Sequence, residues 1–289
     1  MNIKEWADKV NQKIQDIFEK QILTNFLVLI FVAFVVLGLS ATFYINDYDN
    51  FIKEILAEAH GMIFDIAIIG ILIYWLNQRG EKTQRIRAYK DEIDDFRLWE
   101  SEEAAFRTAG NIKRLNRHNI HIINLYNCYL SKANLNHVKL KDSNLNSANF
   151  IHSNLMEANL TNARLNQTRF ENSNMNQADL SGAYANGAIF KDANMIKAKF
   201  VNAFLIKADF SNAFLMETNL FGSYLTGADF TNCNLYKADL RNTKGLSIEQ
   251  LLKAKTLYLA KFDKEILEIL QREHREFLGS GKTEKALIE

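Results

Sequence analysis

A five-residue period runs without interruption from Leu125 to Leu240, and it constrains this chain of 289 residues more than any other feature. At the 24 positions 125, 130 and so on to 240, the residue is Leu, Phe or Met in 23, and Ala185 is the exception. Two residues before each of these, 22 of the 24 positions hold Ala, Ser, Thr or Cys, with Ile123 and Val138 as the departures. The segment is therefore an internal repeat with one large apolar and one small residue per unit.

Neither an α-helix nor a flat strand explains a period of five. A helix repeats every 3.6 residues and a strand every 2, and both would scatter positions five apart around their faces. A square coil that turns a corner every five residues places the large residue and the small one before it inside, and the other three outside. Four repeats then make a coil of about 20 residues, and about six such coils stacked about 4.8 Å apart predict a rod of roughly 29 Å.

Units such as Ala-Asn-Leu at 133–135 and Ala-Asp-Phe at 208–210 resemble those of the pentapeptide-repeat family, and the resemblance keeps one register over 121–245. It implies the family's fold, a right-handed quadrilateral parallel β-helix, so we expect a mainly β chain with helical caps. Cys128 and Cys233 both occupy the small inward position. That position predicts buried structural thiols rather than redox centres.

Two apolar runs precede the repeats. Ile22 to Ile45 lies in a stretch without charged residues between Lys20 and Asp47. It is long enough to cross the hydrocarbon core as a helix, and longer than the apolar region of a signal peptide. Gly61 to Leu76 is shorter and contains Asp65, so alone it is also compatible with a buried or re-entrant helix. Its position beside the first run favours a transmembrane hairpin.

The flanking charges predict how this hairpin is oriented. The 46–60 connection has one basic residue, Lys53, whereas 77–90 has five. The positive-inside rule therefore places both termini and the repeats in the cytoplasm, on the cell (inner) membrane. Asp65 is a candidate intramembrane polar site, and a position near the outer interface is the plainer interpretation.

These features divide the chain into five predicted parts. They are an interfacial amphipathic helix over 1–20, the transmembrane hairpin over 21–78 with spans at 22–45 and 60–77, a cytoplasmic connecting helix over 79–110, the β-helix over 111–245, and a helical cap with a flexible tail over 246–289.

Short local signals refine both ends of the repeat segment. An apolar stripe at helical spacing should dock the connecting helix onto the repeats. The stripe consists of Ile86, Tyr89, Ile93 and Phe96. A capping box at Ser247 and Gln250 predicts a helix start after the last repeat. The segment 263–278 predicts a final helix that ends at Gly279.

Enzyme motifs are absent or incomplete. The segment 279–283 looks like the end of a phosphate-binding loop, but the first glycine of that motif would fall at Glu276, and the segment follows a helix rather than a strand. The four histidines within 118–152 are not spaced by 20 residues, so they do not share a face and predict no metal site. We expect a protein that is not an enzyme and has no catalytic residue, metal or cofactor.

With the interior filled, any function must lie on the outer walls, where residues 20 apart should lie above one another. One row, at 184, 204 and 224, and the corner row before it, at 201 and 221, predict an exposed apolar patch. A separate row, at 196, 216 and 236, adds further apolar residues. The candidate interaction surface is Tyr184, Phe204, Tyr224, Val201, Phe221, Ile196, Met216 and Tyr236. Stacking of such side chains stabilises the ladder, and the same rows are typical of a surface that binds a partner or a second copy.

The sequence therefore favours a membrane-anchored, non-enzymatic scaffold, whose partners are the membrane and an unidentified protein or a second copy. The family resemblance also implies an alternative, a DNA-mimicking inhibitor of type II topoisomerase. Residues 121–245 contain 12 Lys and Arg and 9 Asp and Glu, a net +3, which disfavours a DNA mimic. No nucleic acid is expected as a partner. A subunit of a membrane transport or channel assembly is a third alternative, with weak support from Asp65.

Overall fold

The structure, a computed structural model, describes Phe31, Phe34 and residues 48–279. Its helices, in chain order, are α1 (Tyr48–Asp95), α2 (Glu102–Arg117), α3 (Ile248–Leu251), α4 (Lys264–Glu273) and a 3₁₀ helix (Arg275–Leu278). The repeats lie between α2 and α3. The chain divides into two units between Arg79 and Gly80.

The repeats form a four-walled parallel β-helix, as predicted. Each wall is a column of single parallel bridges between residues 20 apart, so the coil length is also confirmed; only the last bridges, to Thr256 and Lys261, join residues 22 apart. The bridged residues are Asn124, Asn144, Arg164, Tyr184, Phe204, Tyr224 and Lys244 on the first wall; Tyr129, Asn149, Arg169, Ile189, Asp209 and Asp229 on the second; Asn134, Asn154, Asn174, Asn194, Phe214, Asn234 and Thr256 on the third; and Lys139, Asn159, Asp179, Lys199, Asn219, Asp239 and Lys261 on the fourth.

The two inward positions of each repeat fill the core. The large residue is fully buried in every repeat, and even the departures Ile123 and Val138 fit the small position, at 4% and 3% exposure. Cys128 and Cys233 are buried free thiols, as predicted. Burial raises the pKa of the Cys128 thiol to about 11 and that of Cys233 well above its ordinary value. Both thiols therefore behave as small core residues.

Aromatic rings form a continuous column inside the second wall. Phe150, Phe170, Phe190, Phe210 and Phe230 stack with centroids 5.1 to 5.4 Å apart. Phe200, inside the fourth wall, meets two of these rings edge-on at 5.6 and 6.0 Å. The coil that holds Phe200 is also the coil in which Ala185 replaces a large residue. We interpret the alanine as making room for the extra ring, because cores keep their total volume.

Each backbone N–H of the repeat centred on Leu155 has its own acceptor. The N–H groups of Leu155 and Glu157 donate to the next coil at 2.7 and 2.9 Å, and that of Asn154 donates to the previous coil at 2.9 Å. The N–H of Ser153 closes a turn at 3.0 Å. The fifth, on Met156, donates to the side-chain Oδ1 of Asn154 at 3.2 Å. This last bond explains why wall positions favour Asn or Asp, whose side chains bond to the backbone two residues on.

The two residues that follow each large core residue form a corner of the coil. The second of them, from Asn127 to Asn242, has a positive φ between 55° and 70° in every repeat. This left-handed conformation turns the chain, and its N–H bonds to the next coil. The same register would place a large core residue at 245, where the sequence has Gly245 with φ +72°. A Cβ there would lie 2.0 Å from Oγ1 and 3.1 Å from Cα of Thr226. Gly245 therefore lets the chain leave the solenoid.

Helix α2 caps the first coil. It begins after Ser101, whose side chain accepts a hydrogen bond from the N–H of Ala104 at 3.1 Å. Its buried side chains are Ala104, Ala105, Thr108, Ala109, Asn111, Ile112 and Leu115. The end of α1 packs on the same core through Ile86, Tyr89 and Ile93. The predicted docking of this stripe is confirmed, although Phe96 lies beyond the helix, edge-on to Trp99 at 5.6 Å.

The predicted connecting helix over 79–110 is wrong in its bounds. Helix α1 extends from Tyr48 to Asp95, and a break over 96–101 separates it from α2. Leu98 has a φ of +68°, and Ser101 starts a new helix with two acidic residues in its first turn. The cap predicted at 111–121 is accordingly the second half of α2 and a short link to the first coil.

Most of the predicted membrane hairpin lies outside the described residues. The helix predicted over 1–20 and the span at 22–45 are not described, apart from the helical Phe31 and Phe34. The span predicted at 60–77 and the connection before it belong to α1. Over Phe31, Phe34 and 48–279, no helix has both the length and the apolar character to span a membrane. The run at 61–76 is short and contains Asp65, so this span is not supported.

The carboxyl-terminal cap continues two of the walls. Thr256 and Lys261 bridge to the third and fourth walls. The predicted capping box is confirmed, since Ser247 and Gln250 exchange hydrogen bonds at 2.8 and 3.3 Å. The predicted final helix is α4 followed by the 3₁₀ helix, and it ends at Gly279 as predicted. Residues 280–289 lie outside the described residues.

Gly245→Ala should destabilise the protein more than Gly187→Ala. Gly187 is a fair control because its φ is +64° and the nearest atom to an added Cβ is Cγ of Gln167 at 3.9 Å. Both substitutions strain a left-handed residue by about 1–2 kcal/mol. Only Gly245→Ala also meets backbone, which adds about 1–3 kcal/mol. Urea denaturation of the two variants tests this, and equal midpoints would show that position 245 has room.

Candidate interaction surface

The first wall loses its structural Asn side chains after the second coil. Asn124 and Asn144 accept the N–H two residues on, as wall Asn residues do elsewhere. From the third coil onward, the wall positions are Arg164, Tyr184, Phe204, Tyr224 and Lys244, none of which supplies that acceptor. The N–H groups of the following corner therefore lack the acceptor within their own turn.

A column of Asn side chains on that corner supplies the acceptor beside Arg164, Tyr184 and Phe204. Oδ1 of Asn146 accepts the N–H of Asn166 at 2.9 Å. Oδ1 of Asn166 accepts the N–H of Asn186 at 3.2 Å, and Oδ1 of Asn186 accepts that of Ile206 at 3.1 Å. Each Asn thus bonds to the coil above it instead of to its own turn. The first wall is thereby free to carry side chains that do not serve the backbone.

Tyr184, Phe204 and Tyr224 form a stacked column that we name the aromatic ladder. The rings of Tyr184 and Phe204 are 4.8 Å apart at 3°, and those of Phe204 and Tyr224 are 4.6 Å apart at 9°. The Nζ of Lys244 ends the column, 4.5 Å from the centroid of Tyr224 and 2.8 Å from its hydroxyl. The internal ring faces cover one another, so a partner would meet ring edges.

Val201 and Phe221 lie on the corner that precedes the ladder, as the rows predicted. Both are partly exposed. Arg241 lies 5.9 Å from the Phe221 ring and forms two hydrogen bonds with Asp239, at 2.9 and 2.6 Å. These bonds hold the pKa of the Asp239 carboxyl below its ordinary value. We name the ladder together with Val201 and Phe221 the ladder surface.

The second predicted row is smaller than expected. Ile196 and Met216 are partly exposed, but Tyr236 is only 7% exposed. Its ring stacks on Tyr258 of the carboxyl-terminal cap at 5.8 Å and 25°. Including Tyr236 in an exposed surface was therefore wrong. The cap lies outside the five-residue period, so the row alone did not reveal this contact.

Two exposed apolar residues of the later coils were missed. Phe214 is 50% exposed on the third wall, within a column that is otherwise Asn and Thr. Ile206 is 36% exposed on the corner after the ladder. Reading each wall and corner as a column of residues 20 apart would have found both. Phe214 lies on the wall opposite the ladder surface.

Basic side chains surround the ladder surface. Arg164 and Lys244 are at the two ends of the aromatic ladder, and Lys207 and Arg241 lie on the flanking corners. Asp142, on the corner of an earlier coil, is acidic. The surface therefore has an apolar centre and a largely positive rim.

No other chemistry gathers in the described parts of the chain. Within Phe31, Phe34 and 48–279, no group of three or more His, Cys, Asp or Glu side chains could hold a metal ion. His137 pairs with Glu157 at 3.3 Å, and His118 stacks on Tyr89 at 6.2 Å. Asp65 is exposed on α1. Its role in a membrane stays a prediction.

Asn166→Ala should destabilise the protein more than Asn176→Ala. Asn166 is the acceptor for the N–H of Asn186. Asn176 accepts the N–H of Ile196, which has a second acceptor in the wall residue Asn194. The unpaired N–H should cost about 1–3 kcal/mol.

Adding Tyr184→Asn should recover part of that loss, because it places a wall Asn two residues before Asn186, where its side chain can accept the unpaired N–H. Thermal denaturation of the single and double variants measures the recovery. Loss of stability that is equal in Asn166→Ala and Asn176→Ala, with no recovery, would contradict the role of the Asn column.

The comparisons with known proteins agree with this geometry. The family model for pentapeptide repeats matches eight copies between residues 123 and 244. No curated protein matches the chain in sequence.

Three solved structures have similar segments. HetL, a pentapeptide repeat protein involved in heterocyst differentiation regulation from the cyanobacterium Nostoc sp. strain PCC 7120, is 24% identical over 48% of this chain and 74% of its own, with a TM-score of 0.22. QnrB1, a plasmid-mediated fluoroquinolone resistance protein, is 18% identical over 52% and 86%, with a TM-score of 0.31. Rfr23 from the cyanobacterium Cyanothece 51142 is 27% identical over 35% and 60%, with a TM-score of 0.22.

These TM-scores are below 0.5, so the likenesses support no functional conclusion. The family model and the five-residue coil geometry are independent of them. Together they support the pentapeptide-repeat family, whose fold is the right-handed quadrilateral β-helix, for residues 123–244.

Proposed function

We propose that this protein is a non-enzymatic interaction module that presents the ladder surface to a protein partner or a second copy. The observation that carries the proposal is the stacked aromatic ladder, whose three rings are exposed or partly exposed on the first wall. The side chain of Tyr184 is 45% exposed. An apolar centre with a charged rim is the usual anatomy of a protein interface.

Stability alone is a weaker explanation of the ladder. Stacked cross-strand pairs contribute about 0.2–1 kcal/mol each. The third wall carries Asn at most of its positions, and on the first wall the Asn column accepts three N–H groups that wall Asn residues would otherwise accept. Aromatic residues therefore replace side chains that already suited the fold. The positive rim predicts a partner with acidic groups around an apolar centre.

A DNA mimic is the less favoured candidate. Such a protein needs a strongly negative surface, whereas Arg164, Lys207 and Lys244 make this one positive, and Asp239 offsets the charge of Arg241. Fluoroquinolone resistance is a property of QnrB1 and is not carried over to this chain. Binding of bases is also disfavoured, because base stacking needs free ring faces. In the ladder, the internal ring faces are already occupied.

Membrane anchoring is the second part of the proposal, and the apolar run at 22–45 is its main support. The exposed side chains from Ile66 to Leu76 on α1 are apolar on all sides of the helix. A helix of this kind needs cover, and lipid supplies it. The charge asymmetry favours the cell (inner) membrane with the repeats in the cytoplasm. A transport or channel subunit would need a role for Asp65, and no contact of Asp65 favours one.

The double variant Phe204→Ser and Phe221→Ser tests the ladder surface in the full chain. Crosslinking and affinity purification from detergent-solubilised membranes should recover a protein partner or a self-oligomer with the unaltered chain. We expect the double variant to lose this species, because it removes two apolar contacts. The double variant Lys191→Ser and Phe214→Ser, on the third wall and the corner before it, is the matched control, since both side chains are exposed and lie away from the ladder surface.

Unchanged assembly and unchanged partner recovery in the Phe204 and Phe221 variant would reject the ladder surface as an interface. Cell fractionation precedes the purification. Recovery of the chain solely in the soluble fraction would reject the anchor and leave the ladder test intact.

A further inference from the structure

The first coil has a backbone edge that no earlier coil covers. In this β-helix, each wall residue bonds through its N–H and C=O to the coil below. On the fourth wall, the amide of Asn116 replaces that coil. Its Oδ1 accepts the N–H of Lys139 at 2.7 Å, and its Nδ2 donates to the C=O of Lys139 at 2.9 Å. On the first wall, Arg97 donates to the C=O groups of Asn124 and Tyr126.

The second and third walls have no such cover, and of their first-coil residues Tyr129 is partly buried whereas Asn134 is exposed. In the part of the chain that the structure describes, the N–H and C=O of Asn134 have no protein partner, and the residue is exposed. The same wall in the second coil is fully bonded on both sides. An open strand edge of this kind is a template for another strand.

A groove runs along this open edge, between the edge and α2. Its volume is about 470 Å³. It is lined by the small residues Ala105, Ala109, Gly110 and Ala133. Phe106, which is 80% exposed, lies along one side of the groove. A second groove of about 340 Å³ continues past the corner to Lys139, and Lys113 lines both. The edge is therefore accessible, with room for small side chains.

The two grooves are positively charged. Their lining contains the basic side chains Lys113, Arg117, Lys132 and Lys139, against the acidic Glu102. The carboxylate of Glu102 already pairs with Lys132 at 2.7 Å. The charge that remains for a ligand comes from Lys113, Arg117 and Lys139, and it favours carboxylates.

We propose that the open third-wall edge of the first coil binds an extended acidic segment of a partner protein by β-strand addition. The backbone of the segment would pair with the N–H and C=O of Asn134, as strands do at other sheet edges. Small side chains would enter the groove over Gly110, and flanking Asp or Glu residues would reach Lys113 and Lys139. The chain's own tail at 280–289 has two Lys and two Glu, so it lacks the acidic excess.

This surface is distinct from the ladder surface, which lies on the opposite wall. The inference deepens the proposed interaction function by naming a second site and a partner class. It does not depend on what the aromatic ladder binds.

A labelled peptide tests the proposal on the full chain in detergent. The probe is the fluorescein-labelled peptide Glu-Ala-Val-Ser-Val-Ala-Glu-Glu, and fluorescence anisotropy measures its affinity. We expect a Kd of about 1–100 µM. Replacing its Glu residues with Lys, or methylating alternate backbone nitrogens, should weaken binding at least ~10-fold, because each removes one of the two recognition elements. Hydrogen exchange should show new protection of the Asn134 amide in the complex.

Gly110→Leu should weaken peptide binding at least ~10-fold by filling the groove. The fold should tolerate it, since an added Cβ lies no closer than 3.5 Å to Nη1 of Arg114 and leucine favours helices. Gly80→Leu, another helical glycine with nothing within 4 Å of an added Cβ, is the matched control.

Absence of peptide binding below ~1 mM would overturn the proposal. So would equal binding by the Gly110→Leu and Gly80→Leu variants, or an Asn134 amide that the peptide does not protect. The Phe204→Ser and Phe221→Ser variant should bind the peptide normally. Its peptide binding therefore separates a failure of this inference from a failure of the ladder surface.

Discussion

The structure depends on the hydrogen bonds that join each coil to the next, because they force residues 20 apart into columns. From position 125 to position 225, the N–H of the large core residue donates to the coil above at 2.6 to 2.9 Å. To repeat this bond, the chain takes a left-handed residue at every corner, at a cost of about 1–2 kcal/mol for a residue other than glycine. The bonds and the buried core offset that cost. Every outward position then becomes a rung in a vertical column.

The candidate surfaces follow from this constraint. A wall Asn normally accepts a hydrogen bond within its own turn, so replacing it with an aromatic residue leaves an N–H to satisfy. Beside Arg164, Tyr184 and Phe204, the column from Asn146 to Asn186 accepts that N–H from the neighbouring corner. At the start of the stack, the same hydrogen-bonding requirement leaves the edge at Asn134 open. Asn116 and Arg97 meet that requirement only on the fourth and first walls.

The period predicted most of the solenoid, because one geometric rule assigns all five positions of each repeat. It placed Cys128 and Cys233 in the core and aligned Tyr184, Phe204 and Tyr224 on one wall. It did not predict the burial of Tyr236, since Tyr258 belongs to a cap outside the period. The break between α1 and α2 was also missed. Ser101 followed by two acidic residues is a helix-start signal, but nothing in the side chain of Leu98 indicates its left-handed backbone.

Other features could not be predicted from pattern alone. The relation between Ala185 and Phe200 depends on which core columns lie side by side, and the role of the Asn column depends on counting every N–H. The open edge at Asn134 depends on where α2 crosses the first coil. These features are three-dimensional consequences of packing, and each involves residues that the repeat pattern treats as equivalent.

Spin labels at paired cysteines test the columns most directly. Labels introduced by Arg164→Cys and Tyr184→Cys would be on adjacent rungs of the first wall, whereas Arg164→Cys with Asn174→Cys would place them on opposite walls. The native thiols are buried and should remain unlabelled. We expect strong dipolar broadening of the electron paramagnetic resonance spectrum for the 164 and 184 pair, and none for the 164 and 174 pair. Broadening for the 164 and 174 pair without broadening for the 164 and 184 pair would contradict the four-walled coil.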